Sequence, residues 1–165
     1  MGNLLELLPR SKRDALVEPS GNSISFAKLR EQVDGVATYL SKQGIREGDR
    51  VVLLVPMSID LYRNLLALFH LGASAVLVDP AGPISTNLSK VSVKAMIGSP
   101  SAHLLRLKIA RLRGLQHKFS TGFTIFPHQR IREQIGDVPA LAGPENEALI
   151  TFTTGTTGEP KCMAR

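Results

Sequence analysis

The stretch VVLLVPMSIDLYRNLLALFHLGASAVLVDP, residues 51–80, decides the fold. It begins with a short Val-rich apolar run that is typical of a buried strand ending at Pro56. A helix is then expected from about Ile59 to Leu71, with Ser58 as its N-cap and Gly72 as its stop. A second apolar strand, SAVLVDP, follows the helix. The stretch is therefore predicted to form one βαβ unit.

The same alternation of strand and helix continues on both sides of this unit. Upstream, SFAKLREQVDGVATYLSKQG predicts an amphipathic helix that begins after Ser25 and stops at Gly44. Downstream the pattern is weaker, and it predicts a helix near residues 84–93, a strand KAMIG, a helix from about Ser101, a strand around 119–126, and a last strand EALITF. PALAGPENE, residues 139–147, is expected to be a mobile surface connection.

The predicted fold class is α/β, with a mostly parallel sheet of about five strands flanked by helices. Strands that are apolar on both faces need helices on both sides, which is why the sheet is expected to be parallel. Residues 51–55, 75–78 and 149–152 are predicted to be central and buried. The apolar stripes predict a core of Leu29, Val33, Val36, Leu40, Val52, Leu54, Leu65, Leu68, Val76 and Ile150.

Composition limits the class of protein. The chain has 165 residues, 43% of them hydrophobic, and a net charge of +6, so it suits one domain that favours anionic partners. The single cysteine, Cys162, excludes an internal disulfide framework and is typical of a reducing compartment. No signal-peptide pattern is present, and the longest uncharged apolar run, residues 64–78, is shorter than the ~20 residues of a spanning helix. A soluble cytoplasmic protein is expected.

The most chemically specific stretch is TFTTGTTGEPK, residues 151–161. Its place after a predicted strand is where α/β sheets bind ligands. Gly155 and Gly158 allow the backbone to approach an anion closely, the threonines add hydroxyl donors, and Lys161 adds a positive charge. The stretch suits a polyphosphate, but it is not a Walker A loop, because Gly158 is not followed by Lys and then Ser or Thr. The alternative is a solvated Thr/Gly turn with an incidental lysine.

Residues 153–161, TTGTTGEPK, resemble the Ser/Thr-Gly-rich phosphate loop of the adenylate-forming superfamily, the AMP-dependent synthetases and ligases. That superfamily includes acyl-CoA synthetases, the adenylation domains of peptide synthetases, and luciferases. Residues 23–80 resemble its opening segment almost continuously. Residues 93–107, VKAMIGSPSAHLLRL, are similar to fatty-acid ligases of the olefin β-lactone synthetase type. The fold expected from this resemblance is the N-terminal part of the adenylate-forming enzyme fold.

The resemblance implies an ATP-dependent acid ligase that uses Mg²⁺. Such an enzyme activates a carboxylic acid, here a fatty acid, as an acyl adenylate with release of pyrophosphate, and passes the acyl group to CoA or another acceptor. It implies no catalytic residue and no metal ligand in this chain. It does imply that seven residues contact the phosphates of ATP: Thr153, Thr154, Gly155, Thr156, Thr157, Gly158 and Lys161. The small residue that commonly follows the lysine in the family is replaced by Cys162, which puts the loop's exit in doubt.

The family's later motifs, which bind adenine, ribose and Mg²⁺ and supply a catalytic lysine, have no place in this sequence. The expectation is therefore that residues 1–165 form the N-terminal portion of the AMP-binding domain, truncated just after the phosphate loop. Alone, the chain is expected to be inactive and marginally stable. The alternatives are a non-catalytic nucleotide-binding module and a basic scaffold that binds RNA or a membrane.

The other candidate residues have plainer interpretations. Cys162 is expected to be an unreactive thiol, His70 to pack at a helix end, and Asp79 to form a turn before Pro80. The four histidines show no metal-ligand spacing. Residues 103–118, HLLRLKIARLRGLQHK, predict a basic helix that covers the sheet, with contact to an acidic membrane or RNA as the less favoured alternative. No nucleic-acid partner is expected, because stacking aromatics are scarce.

Overall fold

The computed structural model describes residues 8–122, 129–131, 147–154 and 160–164, with 153, 154, 160–162 and 164 described by their backbone alone. The strands are β1 (Asp14–Val17), β2 (Ser23–Ser25), β3 (Arg50–Leu54), β4 (Ser74–Leu77), β5 (Ala95–Gly98), β6 (His117–Ser120), β7 (Gln129–Arg130), β8 (Leu149–Thr154) and β9 (Pro160–Ala164). The helices are α1 (Phe26–Lys42), α2 (Ile59–Leu71), α3 (Ile84–Ser89), α4 (Pro100–Leu105) and α5 (Ala110–Arg113), with a 3-10 turn at Arg106–Lys108.

Seven strands form one sheet in the order β7-β6-β5-β3-β4-β8-β9. All neighbouring pairs are parallel except β8 and β9, which run antiparallel. The strands β1 and β2 form a separate antiparallel hairpin. The predicted α/β class with a mostly parallel sheet is confirmed, while the expected five strands are two short of the seven in the sheet.

The two long helices begin and end where their capping residues predict. Ser25 Oγ accepts a hydrogen bond from Lys28 N at 3.3 Å at the start of α1, and Gly44 follows the helix with φ of +92°. Ser58 Oγ accepts from Leu61 N at 3.3 Å, and Gly72 ends α2 with φ of +69°. Each glycine adopts a left-handed conformation that other residues rarely take. Both predicted helices are confirmed.

The sheet separates two hydrophobic cores. Because side chains alternate along a strand, Val51 and Leu53 of β3 enter one core while Val52 and Leu54 enter the other. The first core is covered by α1 and α2, and the second by α3, α4 and α5. Nine of the ten predicted core residues are buried, and the tenth, Leu65, is partly buried at the flank of α2.

Some sequence expectations are wrong in detail. Residues 149–152 are not central, because β8 is followed by the edge strand β9, and of these four only Ile150 is buried. The single basic helix over 103–118 is broken into α4, the 3-10 turn and α5. The break is at Ile109, which is extended with φ of −117° so that its side chain enters the core. The helix expected at 84–93 ends at Ser89, and β6 begins at His117 rather than 119. Residues 123–126 and 139–146 lie outside the described residues.

Among the helices that the structure describes, none combines the length and apolar character needed to cross a membrane.

The contact between α1 and α2 includes a buried histidine, His70, in the last turn of α2. Its Nε2 lies 3.6 Å from Asp34 Oδ1 of α1. Burial lowers the pKa of His70, against the opposing effect of the Asp34 carboxylate, and the charge of Arg30 lowers it further. The helix-end position predicted for His70 is confirmed.

We expect the free energy of unfolding to fall as pH drops from 7 through about 6.5 toward the lowered pKa of His70. In that window the unfolded chain binds a proton that the folded chain excludes, so acidification favours unfolding. His70→Gln should flatten this dependence. Asp34→Asn should steepen it, because loss of the carboxylate lowers the pKa of His70 further. Urea unfolding at several pH values measures the effect, and identical pH dependence in the native chain and His70→Gln would contradict it.

Candidate functional site

The predicted phosphate loop follows the carboxyl end of β8. Because β8 is parallel to β3, β4, β5 and β6, its carboxyl end lies at the same edge of the sheet as theirs. The register pairs Ala75 with Leu149 and Val76 with Ile150, so residues 152–154 extend beyond the last residue of β4. The strand thus carries its final threonines past the sheet edge, where α/β proteins bind ligands.

The chain returns from this edge as β9. Thr153 pairs with Lys161 and Thr154 pairs with Pro160, so residues 155–159 connect the last pair of the two strands. The backbone therefore brings together three of the seven predicted phosphate contacts, Thr153, Thr154 and Lys161. The other four, Gly155, Thr156, Thr157 and Gly158, lie outside the described residues.

The sequence did not predict β9. The predicted phosphate-binding stretch, residues 151–161, includes Pro160 and Lys161, and the structure places both in a strand. Pro160 is the first residue of β9, and β9 is the edge strand of the described sheet, where a proline removes no ladder hydrogen bond. The alternation of polar and apolar residues after Pro160 is too short to predict a strand.

At its amino end β8 is fixed by polar contacts. Arg50 of β3 donates to Glu147 Oε2 through Nε at 3.1 Å and through Nη2 at 2.8 Å. Ser74 Oγ donates to the Glu147 carbonyl oxygen, and Ala75 N donates to Ala148 O at 2.9 Å. The ion pair is partly exposed, so it contributes modestly to stability, but together these bonds set the position of the strand. The fixed amino end leaves the carboxyl end to present the loop.

Other polar groups at the carboxyl edge have structural roles. Asp79 Oδ1 accepts a hydrogen bond from Ala81 N at 2.9 Å, and Gly82 N donates to Asp79 O at 3.0 Å. The turn predicted for Asp79 is therefore confirmed. Ser99, after β5, accepts from Ala102 N at 3.4 Å and caps α4 as Ser58 caps α2. These side chains position backbone rather than ligand.

The β1–β2 hairpin contributes a contact that sequence reasoning missed. Glu18 Oε1 accepts from Ile59 N at 2.8 Å, at the start of α2. This backbone bond, with a side-chain bond from Asn22, holds the pKa of the Glu18 carboxyl below its ordinary value. The carboxylate also lies at the positive end of the α2 dipole. The bond from Ile59 to Glu18 fixes the hairpin against the start of α2. An open groove of about 440 Å³ lies there, and Glu18, Lys28 and Arg63 are among the residues that line it.

The remaining candidates show no catalytic arrangement. His103 is fully buried, with Nε2 3.1 Å from the Phe119 carbonyl oxygen. Burial lowers the pKa of Arg106 and of Lys118, and the Arg106 charge lowers that of Lys118 further. In the part of the chain that the structure describes, no three His, Cys, Asp or Glu residues form a metal-binding group. Cys162 is described only by its backbone in β9.

Comparison with known proteins gives one family. The model of the AMP-binding enzyme family matches residues 9–164. An olefin β-lactone synthetase of Stenotrophomonas maltophilia is 33% identical over 149 residues, which are 84% of this chain and 27% of that protein. Surfactin synthase subunit 3 of Bacillus subtilis is 30% identical over 145 residues, 86% of this chain and 11% of that protein. The chain thus spans about a quarter or less of these relatives.

Solved structures show the same fold. The amide bond synthetase McbA of Marinactinospora thermotolerans superposes with a TM-score of 0.83 at 24% identity, over 99% of this chain and 34% of that one. The N-terminal domain of FACL13 of Mycobacterium tuberculosis superposes with a TM-score of 0.77 at 26% identity, over 93% of this chain and 40% of that one. The parallel sheet with its flanking helices is therefore a recurrent architecture.

Proposed function

The chain belongs to the AMP-binding enzyme family of adenylate-forming ligases, and on that premise we propose that residues 1–165 are the N-terminal, phosphate-binding portion of its AMP-binding domain. The complete ligase would activate a fatty carboxylic acid as an acyl adenylate and release pyrophosphate. CoA or another nucleophile would accept the acyl group. A cytoplasmic enzyme is consistent with the proposal.

One observation carries this function, the β8–β9 arrangement at the carboxyl edge of the parallel sheet. Residues 155–159, which include the Thr- and Gly-rich residues 155–158, connect strands whose paired ends hold Thr153, Thr154 and Lys161. Hydroxyls, backbone N–H groups and an ammonium are donors that match phosphate oxygens. We assign all seven predicted residues, Thr153, Thr154, Gly155, Thr156, Thr157, Gly158 and Lys161, to the β- and γ-phosphates of ATP.

The chemistry of these seven residues fits the phosphates of ATP, and it offers Mg²⁺ hydroxyl oxygens but no carboxylate. Mg²⁺ prefers carboxylate and water oxygens, and no carboxylate is among the seven. A bound Mg²⁺ would neutralise part of the charge on the phosphates. Here the loop's own part is to hold the polyphosphate and to stabilise the negative charge that develops on departing pyrophosphate. We therefore assign the chain to phosphate binding and assign it no metal ligand.

The fatty acid is proposed from similarity alone. A fatty acyl-CoA synthetase of Mycobacterium tuberculosis and the olefin β-lactone synthetase are both among the proteins that this chain resembles. An amide bond synthetase and surfactin synthase subunit 3 are also among them, so acceptors other than CoA should be tested as well. The second candidate, a nucleotide-binding module without catalysis, shares the same loop and differs only in the reaction.

We further propose that the 165-residue chain by itself does not form an acyl adenylate. Adenylation requires the carboxylate and the α-phosphorus to be held in reacting geometry, which supplies about 7 to 11 kcal/mol of the barrier. A single loop holds only the end of the triphosphate. Adenine, ribose and the acid need further contacts beyond the seven loop residues.

Gly155→Val combined with Thr156→Val should weaken binding of inorganic triphosphate by about tenfold or more, because side-chain bulk and a lost donor disrupt charge-assisted hydrogen bonds. Lys161→Gln should weaken it similarly. The matched controls are Thr86→Val and Lys42→Gln, both at exposed helix positions. Isothermal titration calorimetry measures each affinity. Equal affinity in the loop variants and their controls would overturn the phosphate assignment.

Acid-dependent exchange of pyrophosphate into ATP tests the proposed inactivity. We expect no exchange above background with fatty acids, β-hydroxy fatty acids or amino acids, because the loop alone cannot position the acid. The assay requires a full-length ligase of the family as its positive control. Robust exchange by the 165-residue chain would contradict the proposed inactivity, and it would establish the adenylating activity directly.

A further inference from the structure

Positive charge is concentrated in one third of the chain. Residues 80–132 contain nine Lys or Arg and no Asp or Glu, a net charge of +9 against +6 for the whole chain. The rest of the chain is therefore net −3. Within this region Lys108 of the 3-10 turn and Arg113 of α5 are exposed. The segment itself contains no acid that could offset these two cations, although Lys94 of the same segment pairs with Asp49 outside it at 2.6 Å.

Two leucines in the same segment face solvent. Leu104 is 58% exposed and Leu107 is 40% exposed, and they lie three residues apart across the end of α4 and the 3-10 turn. This spacing places them on neighbouring positions of one helical face. Of the described residues only six large hydrophobic side chains are exposed, and two of them are here.

These leucines are not needed to hold the segment on the sheet. That role belongs to Ala102, Ile109 and Leu112, which are buried in the second core. Arg111 adds a hydrogen bond from Nη1 to Leu88 O of α3 at 2.6 Å. The basic helix predicted over 103–118 was expected to cover the sheet, but the exposure of Leu104 and Leu107 leaves these two side chains outside the core. Their exposure therefore calls for a different explanation.

We propose that Leu104, Leu107, Lys108 and Arg113 form a docking face for the surface of an anionic lipid bilayer. The leucines would enter the boundary between headgroups and acyl chains, while the two cations bind lipid phosphates. The 3-10 turn that joins α4 to α5 would then lie flat on the membrane. This inference does not depend on the proposed reaction, but it requires that the rest of the proposed domain leaves this face exposed.

Charge and composition favour lipid over other polyanions. An acidic protein would also match the positive charge of this segment, but two leucines and two cations are a small part of the roughly 800 Å² per partner that a stable protein complex buries. A single-stranded RNA site needs aromatic side chains for stacking, and the face has two leucines instead. A bilayer surface is uniformly anionic and accepts apolar side chains, so it satisfies both features of the face.

The apolar part is tested with the full 165-residue chain and sedimented vesicles of phosphatidylcholine mixed with phosphatidylglycerol. Leu104→Ser with Leu107→Ser should lower the partition coefficient about tenfold. Val17→Ser with Met57→Ser is the matched control, since these side chains are 66% and 75% exposed in other parts of the fold. The control should bind as the native chain does, and an equal loss in both pairs would overturn the proposal.

The cationic part is tested in the same way. Lys108→Gln with Arg113→Gln should lower binding by about fivefold for each cation removed. Lys12→Gln with Arg13→Gln removes the same charge from exposed positions before the β1–β2 hairpin, and it should have a smaller effect. Binding that is as strong to phosphatidylcholine alone, or that both pairs reduce equally, would refute a specific cationic face.

A single tryptophan reports the orientation, because the native chain has none. The emission of Leu107→Trp should move to shorter wavelength when mixed vesicles are added, while that of Met57→Trp should not. An unchanged Leu107→Trp spectrum in a chain that sediments with vesicles would place the membrane contact elsewhere. Failure of the chain to bind vesicles, together with binding to RNA that depends on the same four residues, would replace the lipid by a nucleic acid.

Discussion

The structure depends on one constraint, the burial of both faces of a parallel sheet. Alternate residues of β3 enter different hydrophobic cores, so neither face can be left to water. The α1–α2 pair satisfies one face, and the shorter helices α3 to α5 satisfy the other. With both faces covered, the backbone of the sheet is accessible mainly at its ends. The carboxyl end is where β8 extends beyond β4, and for this reason we propose the phosphate site there.

The same constraint separates positioning from binding along β8. At its amino end the strand is held through Glu147 and Ala148 by contacts to β3 and β4. At its carboxyl end it pairs only with β9, which comes back from the loop. A ligand at that end would therefore meet backbone whose direction is fixed by the sheet rather than by the loop itself. Preorganisation of this kind lowers the entropic cost of binding.

Much of the fold was predictable because its signals are local. Ser58 caps the start of α2 with its side chain, and Gly72 ends the helix in a left-handed conformation. These two residues predicted the bounds of α2 and, with the apolar strands on either side, the βαβ unit. The short elements were not predictable. The basic segment is interrupted because the side chain of Ile109 packs in the second core, and β9 forms, although it begins with a proline, because it pairs with β8. Both features depend on tertiary contacts that no local sequence pattern indicates. For the site, the residue types pointed to phosphate, and the pairing of Thr153 with Lys161 emerged only from the structure.

We propose that the phosphate site lies at the β8–β9 end of the sheet, although the chain's positive charge is concentrated elsewhere. Amide chemical shifts recorded while inorganic triphosphate is added to the isotopically labelled chain distinguish these locations directly. We expect the largest changes to fall on residues 153–161 and to follow one saturable curve. Changes centred on residues 104–118, with little effect at 153–161, would show that the anion follows the basic face and would contradict the claim.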